Sequence, residues 1–187
     1  MSELKCTVKG RLTGASAIFT PQIDEENPNK KPKFGANVTL NEGEDVKIDA
    51  IVKAAIKEKF GNKVPGKLQN WGVRDGDDPD YEVSFGKKFI NPKATRQPVC
   101  FLRKDGVNRD ITKEMDLLYA GCYVAVSVSA YAYLGDPSKN IKPGVTLILR
   151  AIKWASHGER LGDVVKVDDE FDDEESDEID SIDVDDI

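Results

Sequence analysis

The chain has 187 residues, 33% of them charged, and a formal net charge of −7. That length fits a single domain able to bury roughly two-thirds of the surface its unfolded chain exposes. Three widely spaced cysteines (Cys6, Cys100, Cys122) without a C-x-x-C pair argue against a disulfide framework or a zinc site, and no apolar run reaches the length of a membrane span.

From the start of the chain, Leu4, Cys6, Val8 and Leu12 are apolar while Lys5, Thr7, Lys9 and Arg11 lie between them. Period two predicts a half-buried strand with a basic outer face. Gly10 marks a bulge or bend, and 17–19 are expected to continue the strand. Residues 21–32 are rich in Pro and Asn and read as a loop ending in Lys30, Lys31 and Lys33. A second strand follows with Phe34, Ala36, Val38 and Leu40 on one side. Residues 45–60 carry a 3.6-residue apolar stripe, and Gly61 sits where a C-terminal cap belongs, which predicts one helix.

The Gly-, Pro- and Asp-rich stretch 62–80 is expected to be irregular, anchored by Trp71. Tyr81, Val83 and Phe85 alternate as a strand. Lys87, Lys88, Phe89, Lys93 and Arg96 form a basic stretch with an aromatic inside it, and 99–102 a short strand. From Gly121 the longest strand begins: Cys122, Val124, Val126, Val128, Ala130, Ala132 and Leu134 make one face, and Tyr123, Tyr131 and Tyr133 stand on the other. Such length suits a bent strand of a barrel. Residues 145–152, apolar on both faces, read as a last, central strand, with Trp154 and His157 after it. Five or six strands and one inserted helix predict a mainly β, small antiparallel barrel.

The charge changes at the end. Residues 167–187 hold thirteen of the 34 acidic residues and no Lys or Arg, whereas 1–166 hold all 27 basic residues against 21 acidic ones. The chain thus divides into a basic folded domain, 1–166, and a disordered acidic tail, 167–187. A polyanionic tail can occupy a surface that another polyanion would bind; the plainer reading is a solubilising end. The first five residues carry no apolar signal region, and the expectation is a soluble protein of a reducing cytoplasm.

Catalytic patterns are weak. The lone His157 has no Ser or Cys motif with which to form a triad. Residues 61–68 approach the phosphate-binding G-x4-G-K-[ST], but Leu68 replaces the hydroxyl, Pro65 removes an N–H, and the segment follows a helix. Asp75, Asp77, Asp78 and Asp80 read as a polar turn, although a carboxylate cluster keeps a metal-dependent nuclease as an alternative. No metal, cofactor or catalytic residue is assigned.

Nucleic acid accounts for more of the chain. Lys5, Lys9 and Arg11 share a strand face; Lys30, Lys31 and Lys33 crowd one loop; Lys87, Lys88, Lys93 and Arg96 crowd another. Interleaved are Phe89, Tyr123, Tyr131, Tyr133 and Trp154. Cations following phosphates and rings stacking on unpaired bases are how single strands are held. Lysines beside strands also protect edges, and any one ring can be core. Replacing Lys31 or Lys88 is expected to weaken binding evenly across sequences and flatten its salt dependence.

Residues 119–133 (Tyr-Ala-Gly-Cys-Tyr-Val-Ala-Val-Ser-Val-Ser-Ala-Tyr-Ala-Tyr), then Gly144-Val-Thr-Leu, Gly158-Glu-Arg-Leu-Gly162 and the acidic end, together with Trp71-Gly-Val-Arg-Asp-Gly-Asp77 and Lys-Pro-Lys-Phe34, resemble the bacteriophage single-stranded DNA-binding proteins with an oligonucleotide-binding fold. The resemblance spans nearly the whole chain. It implies a five-stranded, partly open OB-fold barrel, sequence-independent coating of single-stranded DNA, and roles in phage DNA replication, recombination and repair in the cytoplasm of a bacterial host. It implies a tail that competes for the DNA groove and contacts replication or recombination proteins. Related tails often end in an aromatic residue; here the end is Asp185-Asp186-Ile187, so Phe171 and Ile187 are the candidate partner-binding residues. An open barrel leaves edges with which a second copy can pair, so a homodimer is compatible with it. A protein whose tail mimics DNA for a basic partner is the other alternative.

Overall fold

The computed structural model describes residues 4–77 and 84–161. Its elements, in chain order, are β1 (Lys5–Gly14), α1 (Ser16–Phe19), β2 (Phe34–Gly35), β3 (Asn37–Leu40), α2 (Asp45–Phe60), β4 (Gln69–Trp71), β5 (Arg74–Asp75), β6 (Lys88–Ile90), β7 (Lys93–Ala94), β8 (Val99–Lys104), β9 (Val107–Asp110), β10 (Tyr123–Tyr133), a 3-10 turn (Pro137–Lys139) and β11 (Gly144–Ser156).

Five arms carry the architecture. β2 and β3 run antiparallel to β7 and β6 in one register, Phe34 opposite Ala94, Gly35 opposite Lys93, Val38 opposite Ile90 and Thr39 opposite Phe89. Ala36 N–H donates to the Pro92 carbonyl between them, at 3.3 Å. β1 lies on the other side of β3 and pairs with β10, which pairs with β11. The round then returns to β7 through one parallel pair, Ile148 with Lys93. That seam is thin, so the barrel stays partly open. β4 lies on β11 and β5 lies on β6, so residues 69–75 bridge the gap between those two arms.

The inner face follows from alternation. Val8, Val38, Ile90, Val126, Val128, Val145 and Ile152 are fully buried. Each such aliphatic contributes about 1.5–3 kcal/mol when fully removed from water. α2 buries Ile48, Ile51, Val52 and Ala55 and packs on β1 and β10. It stops at Gly61, whose φ of +57° favours glycine and whose N–H donates to the Lys57 carbonyl. Cys122 and Cys100 are buried and Cys6 is half-buried; burial pushes the Cys100 thiol up to about 12 and raises the other two, so all three remain thiols near neutral pH.

The mainly β fold, a partly open barrel with one long inserted helix, stands as expected, with local differences; within the stretch expected to be irregular, β4 and β5 form. β11 takes parallel partners (β4, β7, β8) besides the antiparallel β10, because three crossing segments share its far edge. Residues 17–19 do not extend β1. After the register shift between Leu12 and Gly14 the chain makes one helical turn that seats Ile18 in the core. Phe85 stands exposed on a turn, and 81–83, the rest of the strand expected there, lie outside the described residues. Among the described residues no helix is long and apolar enough to cross a membrane. The acidic segment 167–187, with Phe171 and Ile187, also lies outside the described residues.

Candidate nucleic-acid interface

The barrel seam carries the largest exposed aromatic group. Tyr131 and Tyr133 face outward because Ala130 and Ala132, which alternate with them, are buried. On β11 their opposite residues are Thr146 and Gly144, and on β4 the next are Trp71 and Gln69. Opposite residues share a face, so Trp71, Thr146 and Tyr131 form one row, with about 10 Å between its ends at two strand spacings. Tyr131 is 52% exposed and Trp71 43%. The Tyr131 and Tyr133 rings stack with centroids 6.4 Å apart. Beyond Trp71 the row continues through Arg74, whose Cζ lies 5.6 Å from the Trp71 ring centre and 5.5 Å from that of Phe89, its partner in the β5–β6 ladder. Rings from three separate stretches of chain thus make one belt across the seam.

Cations flank this belt. Two residues along β10, Ser129 lies between Ile148 and Lys5, and Ile148 in turn faces Lys93. This second row therefore has a lysine at each end and small or apolar side chains between. Further on, Ala125 lies between Lys9 and Lys153, with Phe101 beyond Lys153. Lys9, Tyr123, Ala125 and Lys153 line a hollow of about 260 Å³. Arg11 holds the far end. Its Nε donates to the Gly121 carbonyl at 3.0 Å, its Nη2 to the Glu159 carbonyl at 2.8 Å, and its Cζ lies 5.7 Å from the Tyr123 ring centre.

The remaining sequence candidates are dispersed. Lys30 is engaged with Asp24 inside its own loop, at 2.8 Å. Lys33 pairs through its backbone with Gln22, two residues before the Gly35 that faces Lys93. Lys31, Lys87 and Arg96 are exposed. Lys88 alternates with Phe89 and so points to the other side of β6, where it bonds Asp45 at the start of α2, at 2.6 Å; that bond holds the Asp45 carboxyl below its usual range and raises Lys88. Trp154 is opposite Val124 and Leu102, on the inward side, and meets His157 edge-on at 4.9 Å. It packs against the core, away from the tyrosines. Asp75 and Asp77 are described but Asp78 and Asp80 are not, and among the described residues no three His, Cys, Asp or Glu side chains gather as a metal site.

Residues 7–181 match the family model described as Enterobacter phage Enc34, ssDNA-binding protein. The chain belongs to this family. Its fold is that of the single-stranded DNA-binding protein from bacteriophage Enc34 in complex with ssDNA, at 14% identity over 84% of this chain and 89% of that one, with a TM-score of 0.68. A C-terminal truncation of the Enc34 protein gives 14% identity over 84% and 88%, TM-score 0.65. Gp2.5, a single-stranded DNA-binding protein encoded by bacteriophage T7, gives 15% identity over 94% and 98%, TM-score 0.55. No curated protein matches the chain.

Within the Enc34-type fold, sequence reasoning missed Trp71, Arg74, Phe101 and Lys153. Trp71 was expected as an anchor of an irregular stretch, and only its pairing with Thr146 turns it outward beside Tyr131. Arg74 follows Trp71 by three residues, yet its second ring, Phe89, comes from a different strand. Lys153 carried a usable signal, since it alternates with the fully buried Ile152.

Proposed function

We propose that this protein coats single-stranded DNA without sequence preference and without catalysis, in phage DNA replication, recombination and repair, in the cytoplasm of a bacterial host. The observation that carries this reading is the belt of Trp71, Phe89, Tyr131 and Tyr133 on the outer face of the barrel seam, flanked by Lys93 and Lys5. Bases have π-faces whatever their identity, so stacking on such rings is sequence-tolerant, and phosphates follow the cations. OB folds bind oligonucleotides on the outer face of their second and third strands; here Phe89 on β6 belongs to that region, and the belt extends from it across the seam to Trp71 on β4 and Tyr131 on β10. Among the described residues the one long helix, α2, packs on the barrel through β1 and β10, and its exposed side carries lysines, not the amide side chains that read bases in a major groove.

The acidic tail is the regulatory part of the proposal. The last described residue, Leu161, donates its N–H to the Ala120 carbonyl, beside the Arg11 and Tyr123 end of the cationic face. The acidic composition predicts a coil for the remaining 26 residues, and a coil of that length has a root-mean-square reach of roughly 25–30 Å. The outer face of β10 from Tyr123 to Tyr131 is about 27 Å long. The thirteen carboxylates can thus reach any part of the face that the phosphates use, and Phe171 and Ile187 remain to engage replication or recombination proteins. A homodimer is compatible with this arrangement.

Titration of the full chain with labelled oligothymidylate at two salt concentrations, with and without magnesium, tests the reading. Salt-sensitive binding with the oligonucleotide left intact is the expected result. Magnesium-dependent degradation would instead indicate a nuclease, and absence of any affinity a protein that only mimics DNA.

A further inference from the structure

Arg74 is exposed and stands within cation–π distance of two rings, 5.6 Å from Trp71 and 5.5 Å from Phe89. None of its five N–H groups bonds an acceptor among the described residues. Two other arginines of the outer face are differently used: Arg11 donates to two backbone carbonyls, and Arg103 bonds the Asn108 side chain. Arg74 therefore combines a side chain held in place with donors that have no acceptor among the described residues. Two aromatic neighbours and the ladder with Phe89 remove much of the freedom a surface arginine would lose on binding. The adjacent Asp75 alternates to the opposite side of the strand, where it faces Lys88.

Resting on the reading of the belt as a single-strand interface, we propose that Arg74 is a phosphate-binding residue of that interface, its guanidinium edge set by Trp71 and Phe89 to receive two oxygens of the phosphodiester between bases stacked on the belt. The chemistry favours phosphate. A planar fork of donors matches two phosphate oxygens, and every nucleotide brings a phosphate to the belt whatever its base. Such an arginine differs from the flanking lysines, which act as point charges.

The test compares full-length protein carrying Arg74→Lys, Arg74→Gln or Arg74→Ala with wild type, by oligothymidylate titration across a salt series and by thermal melting. Arg74→Ala is expected to weaken binding at least tenfold and to lower the salt slope by about 0.7, the value of one single-strand phosphate contact. Arg74→Lys is expected to keep the slope, because it keeps the charge, yet to lose at least fivefold in affinity. Arg74→Gln keeps the stem and is expected to behave as the alanine variant with a wild-type melting temperature. Arg74→Lys binding within twofold of wild type would reduce Arg74 to a point charge and overturn the proposal. So would a loss seen only with guanine-containing oligonucleotides, which would make Arg74 a base reader. Failure of wild type itself to bind oligothymidylate would overturn the proposed function, a result distinct from either.

Discussion

The Tyr133 ring covers Gly144. A Cβ at position 144 would come 2.5 Å from the Tyr133 Oη and 2.9 Å from the Gln69 carbonyl oxygen. The glycine therefore lets three things meet at one point: the second ring of the tyrosine pair, the end of β11 and the parallel approach of β4 that carries Trp71.

Gly144→Ala is accordingly expected to push Tyr133 off β11 and loosen β4. Overpacking of this kind costs about 1–3 kcal/mol. Thermal melting should show that loss, and oligothymidylate titration a weaker complex. Adding Tyr133→Ala should recover part of the stability but none of the affinity.

Stacking and packing rings should separate cleanly. Tyr131→Ala and Trp71→Ala are each expected to cost about 1–3 kcal/mol of binding, roughly 5- to 150-fold in Kd, with little change in melting temperature. Trp154→Ala should do the reverse. It removes a partly buried ring that packs on the core, at about 3 kcal/mol of stability, and should leave affinity within about twofold. Equal effects on affinity from Trp154 and Tyr131 would contradict the assignment.

The lysines differ in what they already hold. Lys93→Ala and Lys31→Ala should weaken binding evenly across sequences and flatten the salt dependence, by about 0.7 in slope for a phosphate contact. Lys88→Ala should change the slope less, since the Lys88 ammonium is engaged by Asp45 at 2.6 Å on the other side of β6. Salt titrations of the three variants side by side check this ordering.

Deleting residues 167–187 removes thirteen carboxylates. Binding should tighten, and most at low salt, where the tail's charges are least screened. Titrations of the full and shortened chains at two ionic strengths measure it; weaker binding by the shortened chain would refute the competition.

Acid stability follows from hydrogen-bonded carboxyls, Glu44 among them. Hydrogen bonds hold Asp24 (from Lys30), Asp45 (from Lys88), Asp110 (from Thr112) and Asp136 (from Ser138) below the ordinary range. A carboxyl with a lowered folded pKa stabilises the protein fully above its unfolded value, about 3.9, and loses that contribution as pH falls through the folded value. Melting temperature should thus be flat above about pH 5 and decline below about pH 4. Asp45→Asn should shrink the decline.

The alternation of Val124, Val126 and Val128 with Ser127 and Ser129, the stripe of Ile48, Ile51, Val52 and Ala55, and the glycine after Phe60 all lie within a few residues of one another. Periodicity and local backbone preference act at that range, so the long strand, the helix and its end were legible in the amino-acid order, as were the outward tyrosines and the basic face of the first strand. Charge composition is likewise a property of the chain alone, and it separated the basic body from its acidic end. The belt could not be read this way. Trp71, Phe89 and Tyr131 become neighbours only because β4 and β5 bridge the seam between β11 and β6, and ladders between distant segments depend on register, which no short window encodes. Register also turned Trp154 inward and Lys88 toward Asp45, since a residue's face in a barrel is decided by what its strand is paired with.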